Sequence, residues 1–173
     1  MTVENPRIYI ACLASYNSGY HHGVWIDATQ NVENIYKIIK SMLEKSPVPF
    51  SCDWEIHDHI GFYGFRIHDL DIENIPEIAN FILEHGSLGA KYLDLFGREK
   101  IKEFDERYLG SGDDEADFAE QYYFEISSET LDSLKKIGIY PSYIDWETVY
   151  KDNESSDWHS IKAENRVHVF SVI

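Results

Sequence analysis

The amino-acid sequence predicts an α+β protein made of three small modules in series. Of its 173 residues, 43% are hydrophobic and 14% aromatic, which is enough apolar side chain to form a buried core. Both ends of the chain alternate apolar and polar residues as strands do, whereas the middle has the spacing of helices. These changes of period place the modules at residues 1–61, 62–103 and 104–173.

The first module is predicted to combine three strands with one helix. Residues 7–14 and 23–28 alternate and are separated by turn-forming residues, so they indicate two strands. Apolar residues recur at helical spacing over 32–45, where an asparagine can cap the start and Pro47 follows the end. Residues 52–58 alternate again and predict a third strand.

The middle module is predicted to be helical and the last module α+β. Three apolar stripes at helical spacing end near Gly86, Gly97 and Gly110, as expected for helix ends. The glycine-rich tripeptide at 110–112 is typical of a flexible linker. In the last module the pattern predicts helices at 113–124, 128–136 and 145–150 and strands at 158–162 and 167–172.

The net charge restricts the choice of partner. The chain has 31 acidic and 15 basic residues, a net charge of −16, so it should repel nucleic acid and anionic membranes and attract basic surfaces. Its apolar stretches are far shorter than the roughly 20 residues of a membrane span, and its start lacks a signal-peptide pattern. We therefore expect a cytoplasmic protein that binds neither nucleic acid nor membrane.

The sequence predicts no catalytic residue, metal site or cofactor. Cys12 and Cys52 are too few for a disulfide scaffold and are expected to be small buried hydrophobic residues. Standard nucleotide-binding and hydrolase motifs are absent. Paired histidines could bind a metal, but no third ligand stands at a fixed spacing. A small metalloenzyme remains an alternative, and it would use His21, His22, His57 and His59.

Acidic residues are concentrated between residues 103 and 132. This segment has eleven acidic residues and one basic residue, Arg107, which is more charge than solubility requires. Aromatic residues are interleaved with the acids, so the segment can form amphipathic helices that hold carboxylates at fixed spacing. Since duplex DNA has one charge per roughly 1.7 Å, sixteen charges correspond to about eight base pairs. The pattern predicts a basic partner.

Several short motifs occur in a distinctive order along most of the chain. They lie at residues 7–19, 23–28, 55–58, 84–90, 117–119, 143–146 and 167–170. In order and spacing these motifs resemble the ArdA antirestriction proteins, which are carried by conjugative plasmids and transposons.

The resemblance implies a non-catalytic mimic of B-form DNA. Such a protein occupies the DNA-binding groove of a type I restriction-modification enzyme, formed by its DNA-specificity and methyltransferase subunits, and protects incoming mobile DNA. It also implies an elongated chain that dimerises through its C-terminal module. The carboxylates expected to stand for phosphates are those of Glu73, Glu77, Glu84, Asp105, Glu106, Asp113, Asp114, Glu115, Asp117, Glu120, Glu125, Glu129 and Asp132.

Two questions stay open at the level of sequence. The apolar stretch 137–144 and its neighbour Trp146 contain the candidate dimer contact, Tyr140, Tyr143, Ile144 and Trp146, but ordinary core packing explains them equally well. The alternative function is an acidic adaptor or chaperone for basic nucleic-acid-binding proteins, which requires only bulk charge. A DNA mimic instead requires carboxylates held at phosphate-like spacing on a rigid body.

Overall fold

The computed structural model describes residues 5–67, 71–154 and 156–172. The chain divides into two units, Met1–Arg98 and Glu99–Ile173. The described part of each unit contains a three-stranded antiparallel sheet flanked by helices, so the predicted α+β class is confirmed. The division into three modules stays a prediction.

The first unit is built around strand β1, which lies in the centre of a sheet ordered β2-β1-β3. The elements of this unit are β1 (Arg7–Cys12), α1 (Leu13–Asn17), β2 (Gly23–Asp27), α2 (Val32–Glu44), β3 (Trp54–Ile60) and α3 (Ile75–Phe96). The three predicted strands and the helix α2 are confirmed. The short helix α1 was not predicted, because the pattern of β1 continues into its first residues.

Alternation along β1 accounts for the core of the first unit. Ile8 and Ile10 are fully buried, and α2 contributes Ile35, which is also fully buried. Each such side chain contributes about 1.5–3 kcal/mol through burial. The side chain of Asn31 caps α2 by accepting a hydrogen bond from the Asn34 amide at 2.9 Å. Of the two cysteines, Cys12 is buried as predicted, whereas the prediction for Cys52 is wrong, because Cys52 lies exposed in the loop before β3.

Two glycines, Gly86 and Gly97, determine where the helical segments of α3 end. Gly97 ends the helix with φ 84°, as predicted. Gly86 has non-helical backbone angles, φ 57° and ψ −138°, so α3 consists of two helical segments that meet at a kink there. This conformation is readily available only to glycine. The predicted helix end at Gly86 is therefore confirmed as the kink between the two segments of α3.

The second unit has its sheet in the order β4-β6-β5. Its elements are α4 (Phe104–Arg107), β4 (Tyr108–Gly112), α5 (Glu115–Ile126), α6 (Ser128–Lys136), α7 (Trp146–Glu154), β5 (Trp158–Ala163) and β6 (Arg166–Ser171). The helices predicted at 113–124, 128–136 and 145–150 and both C-terminal strands are confirmed, whereas the helix end predicted near Gly110 is wrong, because Gly110 lies within β4. No helix among the described residues is long and apolar enough to cross a membrane.

The predicted linker at 110–112 is wrong, because these residues form most of β4. Gly110 pairs with Val169 and Gly112 with Val167 in the antiparallel ladder. Glycine normally weakens a strand, which is why the composition indicates a linker. Here the close approach of α5 requires it, since a Cβ at Gly112 would lie 2.5 Å from the backbone nitrogen of Phe118.

Aromatic side chains dominate the core of the second unit. The ring of Trp158 meets those of Phe118 and Tyr122 edge to face, with both centroid distances 5.1 Å. Such pairs add about 0.5–1.5 kcal/mol each beyond area burial. The buried Arg107 joins α4 to the end of β6, because its Nη1 donates to the carbonyl oxygens of Ser171 and Val172 at 3.0 Å.

Candidate functional site: an acidic surface

The second unit has the larger excess of acidic residues. Residues 1–98 contain 13 acidic and 7 basic side chains, and residues 99–173 contain 18 and 8. All thirteen carboxylates singled out from the sequence lie in the described part of the chain, and none is buried. Glu115, Asp117 and Glu120 are half-buried, and the other ten residues are exposed. The structure therefore places the whole set at the surface of one unit or the other.

Most of these residues belong to helices, where the backbone fixes their spacing. Glu77 and Glu84 are seven residues apart on α3, which places them on the same side of the helix. In the second unit, the acids belong mainly to α4, α5 and α6. Several stand in the first turn of their helix, where a negative charge complements the helix dipole. Acidic residues at these positions therefore both stabilise the helix start and contribute to the negative surface.

The start of α5 uses its acids as structural hydrogen-bond acceptors. Asp114 caps the helix by accepting from the Asp117 amide at 2.8 Å. The carboxylate of Asp117 accepts from the Asp113 amide at 2.8 Å and from the side-chain amide of Gln121 at 2.7 Å. These two hydrogen bonds, the first from Asp113, lower the pKa of Asp117. This part of the acidic run therefore helps to form the helix.

Three further carboxylates in the second unit are paired with bases. The Nζ of Lys162 lies 2.9 Å from Glu115, and this hydrogen bond lowers the pKa of Glu115. Arg166 lies 3.8 Å from Asp113, and Lys135 lies 2.9 Å from Asp132 and lowers its pKa. Exposed pairs of this kind contribute only about 0–1 kcal/mol each. Sequence reasoning missed Lys162 and Arg166, because the β5–β6 hairpin that holds them lies far from α5 along the chain.

In the first unit, two of the predicted carboxylates contact neighbouring side chains. The hydroxyl group of Tyr36 donates to Glu73 at 2.5 Å, and this hydrogen bond lowers the pKa of Glu73. Glu84 lies 3.9 Å from Nε2 of His85. Both carboxylates remain exposed.

Six of the predicted acids have carboxylates that form no hydrogen bond or ion pair with any described residue. We call them the free acidic set: Glu77, Asp105, Glu106, Glu120, Glu125 and Glu129. Five of the six belong to the second unit. Their charges are available to an external partner without breaking an internal contact.

The candidate dimer contact separates into exposed and packed residues. Tyr143 is 71% exposed and Tyr140 50%, and their rings meet edge to face with centroids 5.7 Å apart. Trp146 instead packs against the core of the unit, and its indole nitrogen donates to the carbonyl oxygen of Pro141 at 3.2 Å. Ile144 and Trp146 line a cavity of about 370 Å³. The dimer contact itself stays a prediction.

Two of the four histidines of the metal alternative make other contacts. Nε2 of His22 forms a hydrogen bond with the carbonyl oxygen of Met42 at 2.7 Å. His57 lies 3.7 Å from Glu55 and packs its ring against Tyr16. Within residues 5–67, 71–154 and 156–172, no group of three or more His, Cys, Asp or Glu side chains is placed to hold a metal ion.

Comparison with known proteins decides the family. The model of the family described as antirestriction protein (ArdA) matches residues 8–164. The chain belongs to the ArdA antirestriction family. The match spans both units and includes all thirteen predicted carboxylates, and it confirms the resemblance seen in the sequence motifs. A comparison with curated proteins finds no match. Membership of the ArdA family implies an antirestriction function, directed at restriction-modification enzymes.

Proposed function

We propose that this ArdA protein inhibits type I restriction-modification enzymes in the cytoplasm by imitating B-form DNA, and that it catalyses no reaction. It competes with DNA for the groove formed by the specificity and methyltransferase subunits, and so protects an incoming mobile element. The observation that carries this proposal is the free acidic set, whose carboxylates are not buried, are held mainly on helices and have no internal partner among the described residues.

Helix backbones hold several of the free carboxylates at fixed positions. Glu120 and Glu125 are five residues apart on α5, which separates them by about 7.5 Å along the helix axis and about 140° around it. Glu129 belongs to the next helix, α6, which follows α5 after Ser127. A disordered acidic tail, which would suit a general chaperone, would not hold this spacing.

The energetics favour many weak contacts over one strong contact. An exposed carboxylate paired with Lys or Arg contributes about 0–1 kcal/mol, so a single change such as Glu120→Gln should barely alter inhibition. The carboxylates that already pair with Lys162, Arg166 or Lys135 must exchange one base for another, so they gain less from the target. Inhibition should therefore depend most on the free acidic set.

A dimer would lengthen the imitated duplex. One chain supplies charge for about eight base pairs, and a two-fold dimer would double that length. The exposed rings of Tyr140 and Tyr143 are the proposed contact, because they are large, apolar and outside the unit's core. The target reads a split recognition sequence, which a two-fold mimic would match.

Phage restriction tests the proposed function directly. Unmodified phage is plated on cells that carry a type I system, with and without this protein. We expect the protein to restore plating efficiency in at least one type I background. Failure to rescue phage in any type I background, with the protein expressed and folded, would contradict the proposal.

A further inference from the structure

A small cleft in the first unit combines aromatic and acidic walls. It lies between α2, the start of β3 and the short 3₁₀ helix Ile72–Asn74 before α3. Its lining includes Tyr36, Trp54, Glu55, Asp71 and Glu73. Its volume is about 260 Å³. Pockets for drug-sized ligands measure about 300–1,000 Å³, so this cleft suits a single side chain better than a larger molecule.

The two rings supply an apolar wall with an affinity for cations. Tyr36 and Trp54 meet edge to face, with centroids 6.3 Å apart and planes at 75°. Tyr36 is 40% exposed and Trp54 half-buried, so both can be reached from solvent. The face of an aromatic ring attracts a cation within about 6 Å, and tryptophan does so most strongly.

The carboxylates make the same cleft strongly negative. The Tyr36 hydroxyl group donates to Oε1 of Glu73 at 2.5 Å, which orients the carboxylate and leaves Oε2 as an acceptor. This hydrogen bond, burial and the charges of Glu73 and Asp71 raise the pKa of Tyr36. No lysine or arginine is among the described residues that line the cleft. Its walls therefore offer aromatic faces and carboxylate oxygens to one positively charged group.

We infer that this cleft binds the guanidinium group of an arginine side chain from a basic protein partner. A guanidinium group is planar, so it can stack on an aromatic ring while its N–H groups donate to carboxylates. An ammonium group lacks the planar face and is more strongly hydrated, so lysine should bind less well. The inference deepens the proposed function, on which the identity of the partner rests: the arginine belongs to the basic groove of the restriction enzyme.

Binding of the guanidinium group can be tested without a restriction enzyme. The intact protein is titrated with N-acetyl-arginine methylamide, and the indole N–H signal of Trp54, assigned with Trp54→Phe, is followed by NMR. We expect a saturable shift with the arginine compound. The matched lysine compound should bind with an affinity several-fold lower. The double variant Asp71→Asn/Glu73→Gln should lose the shift, whereas Glu44→Gln/Asp94→Asn, which removes the same charge from exposed positions outside both the cleft and the predicted acidic surface, should retain it. No saturable shift, or equal shifts in both variants, would overturn the inference.

Inhibition assays on the same variants test the role of the cleft in the complex. Asp71→Asn/Glu73→Gln should weaken inhibition of a type I enzyme about tenfold, and Glu44→Gln/Asp94→Asn by no more than about twofold. Equal losses in the two folded variants would refute the cleft while leaving the DNA mimic intact. A parent protein that inhibits no type I enzyme would instead refute the proposed function, and the titration would still decide whether the cleft binds arginine.

Discussion

The two units of this protein use the same architecture but treat charge differently. Each has a three-stranded antiparallel sheet covered by helices. The first unit contains 13 acidic and 7 basic residues, the second 18 and 8. In the second unit, acids cap α5 and pair with bases from the β5–β6 hairpin, and the five acids of the free set in this unit have no partner among the described residues. Its acidity therefore serves both folding and the surface offered to a partner.

The largest expected effect is the loss of stability when a core side chain of the second unit is removed, compared with an exposed side chain of the first unit. Phe118→Ala should lower the free energy of unfolding of the second unit by about 3–5 kcal/mol, because this ring is 2% exposed and packs on Trp158. Phe50→Ala in the first unit is the matched control, since Phe50 is fully exposed and should change stability by less than about 0.5 kcal/mol. Urea unfolding measures both. Similar losses would mean that the core of the second unit is wrongly identified.

The second-largest expected effect is on dimerisation through the second unit. Tyr140→Asp/Tyr143→Asp should weaken dimerisation by about 2–4 kcal/mol, because exposed tyrosines commonly dominate protein interfaces. Light scattering over a range of concentrations measures the change, with circular dichroism as the check on folding. Tyr16→Asp/Tyr20→Asp, two comparably exposed tyrosines of the first unit, provides the control. If the parent is monomeric, or the Tyr140/Tyr143 variant remains dimeric, the proposed contact is wrong.

Removal of carboxylates should distinguish the two surfaces. Glu120→Gln/Glu125→Gln/Glu129→Gln should cost about 1–3 kcal/mol of binding to a type I enzyme, because three free charges are lost from the second unit. Glu33→Gln/Glu44→Gln/Asp53→Asn removes three exposed charges from the first unit, outside the predicted acidic surface, and should cost far less. Competition assays with DNA measure both. Equal losses would mean that net charge alone matters, as in an acidic adaptor.

The smallest effect is a dependence of stability on pH. Because the pKa of Asp117 is lowered in the folded state, its stabilising effect is complete above the ordinary value of 3.8 and is lost as pH falls through the lower folded value. Asp117→Asn should therefore be less stable than the parent by up to about 1 kcal/mol near neutral pH, and the difference should vanish in acid. Thermal melting across pH measures this.

The sequence contained the fold class and most elements, because alternating and helical patterns are local. The sequence-based prediction was wrong where a tertiary contact decides the local structure. Gly110 and Gly112 suggest a linker until α5 is seen to pack directly on β4. The acids could be located from composition, but their division into capping, paired and free groups depends on bases such as Lys162, which the fold brings from another element. The cleft around Tyr36 likewise joins residues from separate parts of the first unit.

The salt dependence of competition with DNA tests the account most directly. A purified type I enzyme is incubated with labelled DNA and increasing amounts of this protein at about 50 and about 200 mM salt. If carboxylates replace phosphates, the protein should displace DNA competitively, and its affinity should fall steeply with salt, because ions are released when the charged surfaces meet. Inhibition that is non-competitive with DNA, or an affinity unchanged between the two salt concentrations, would contradict the imitation of DNA.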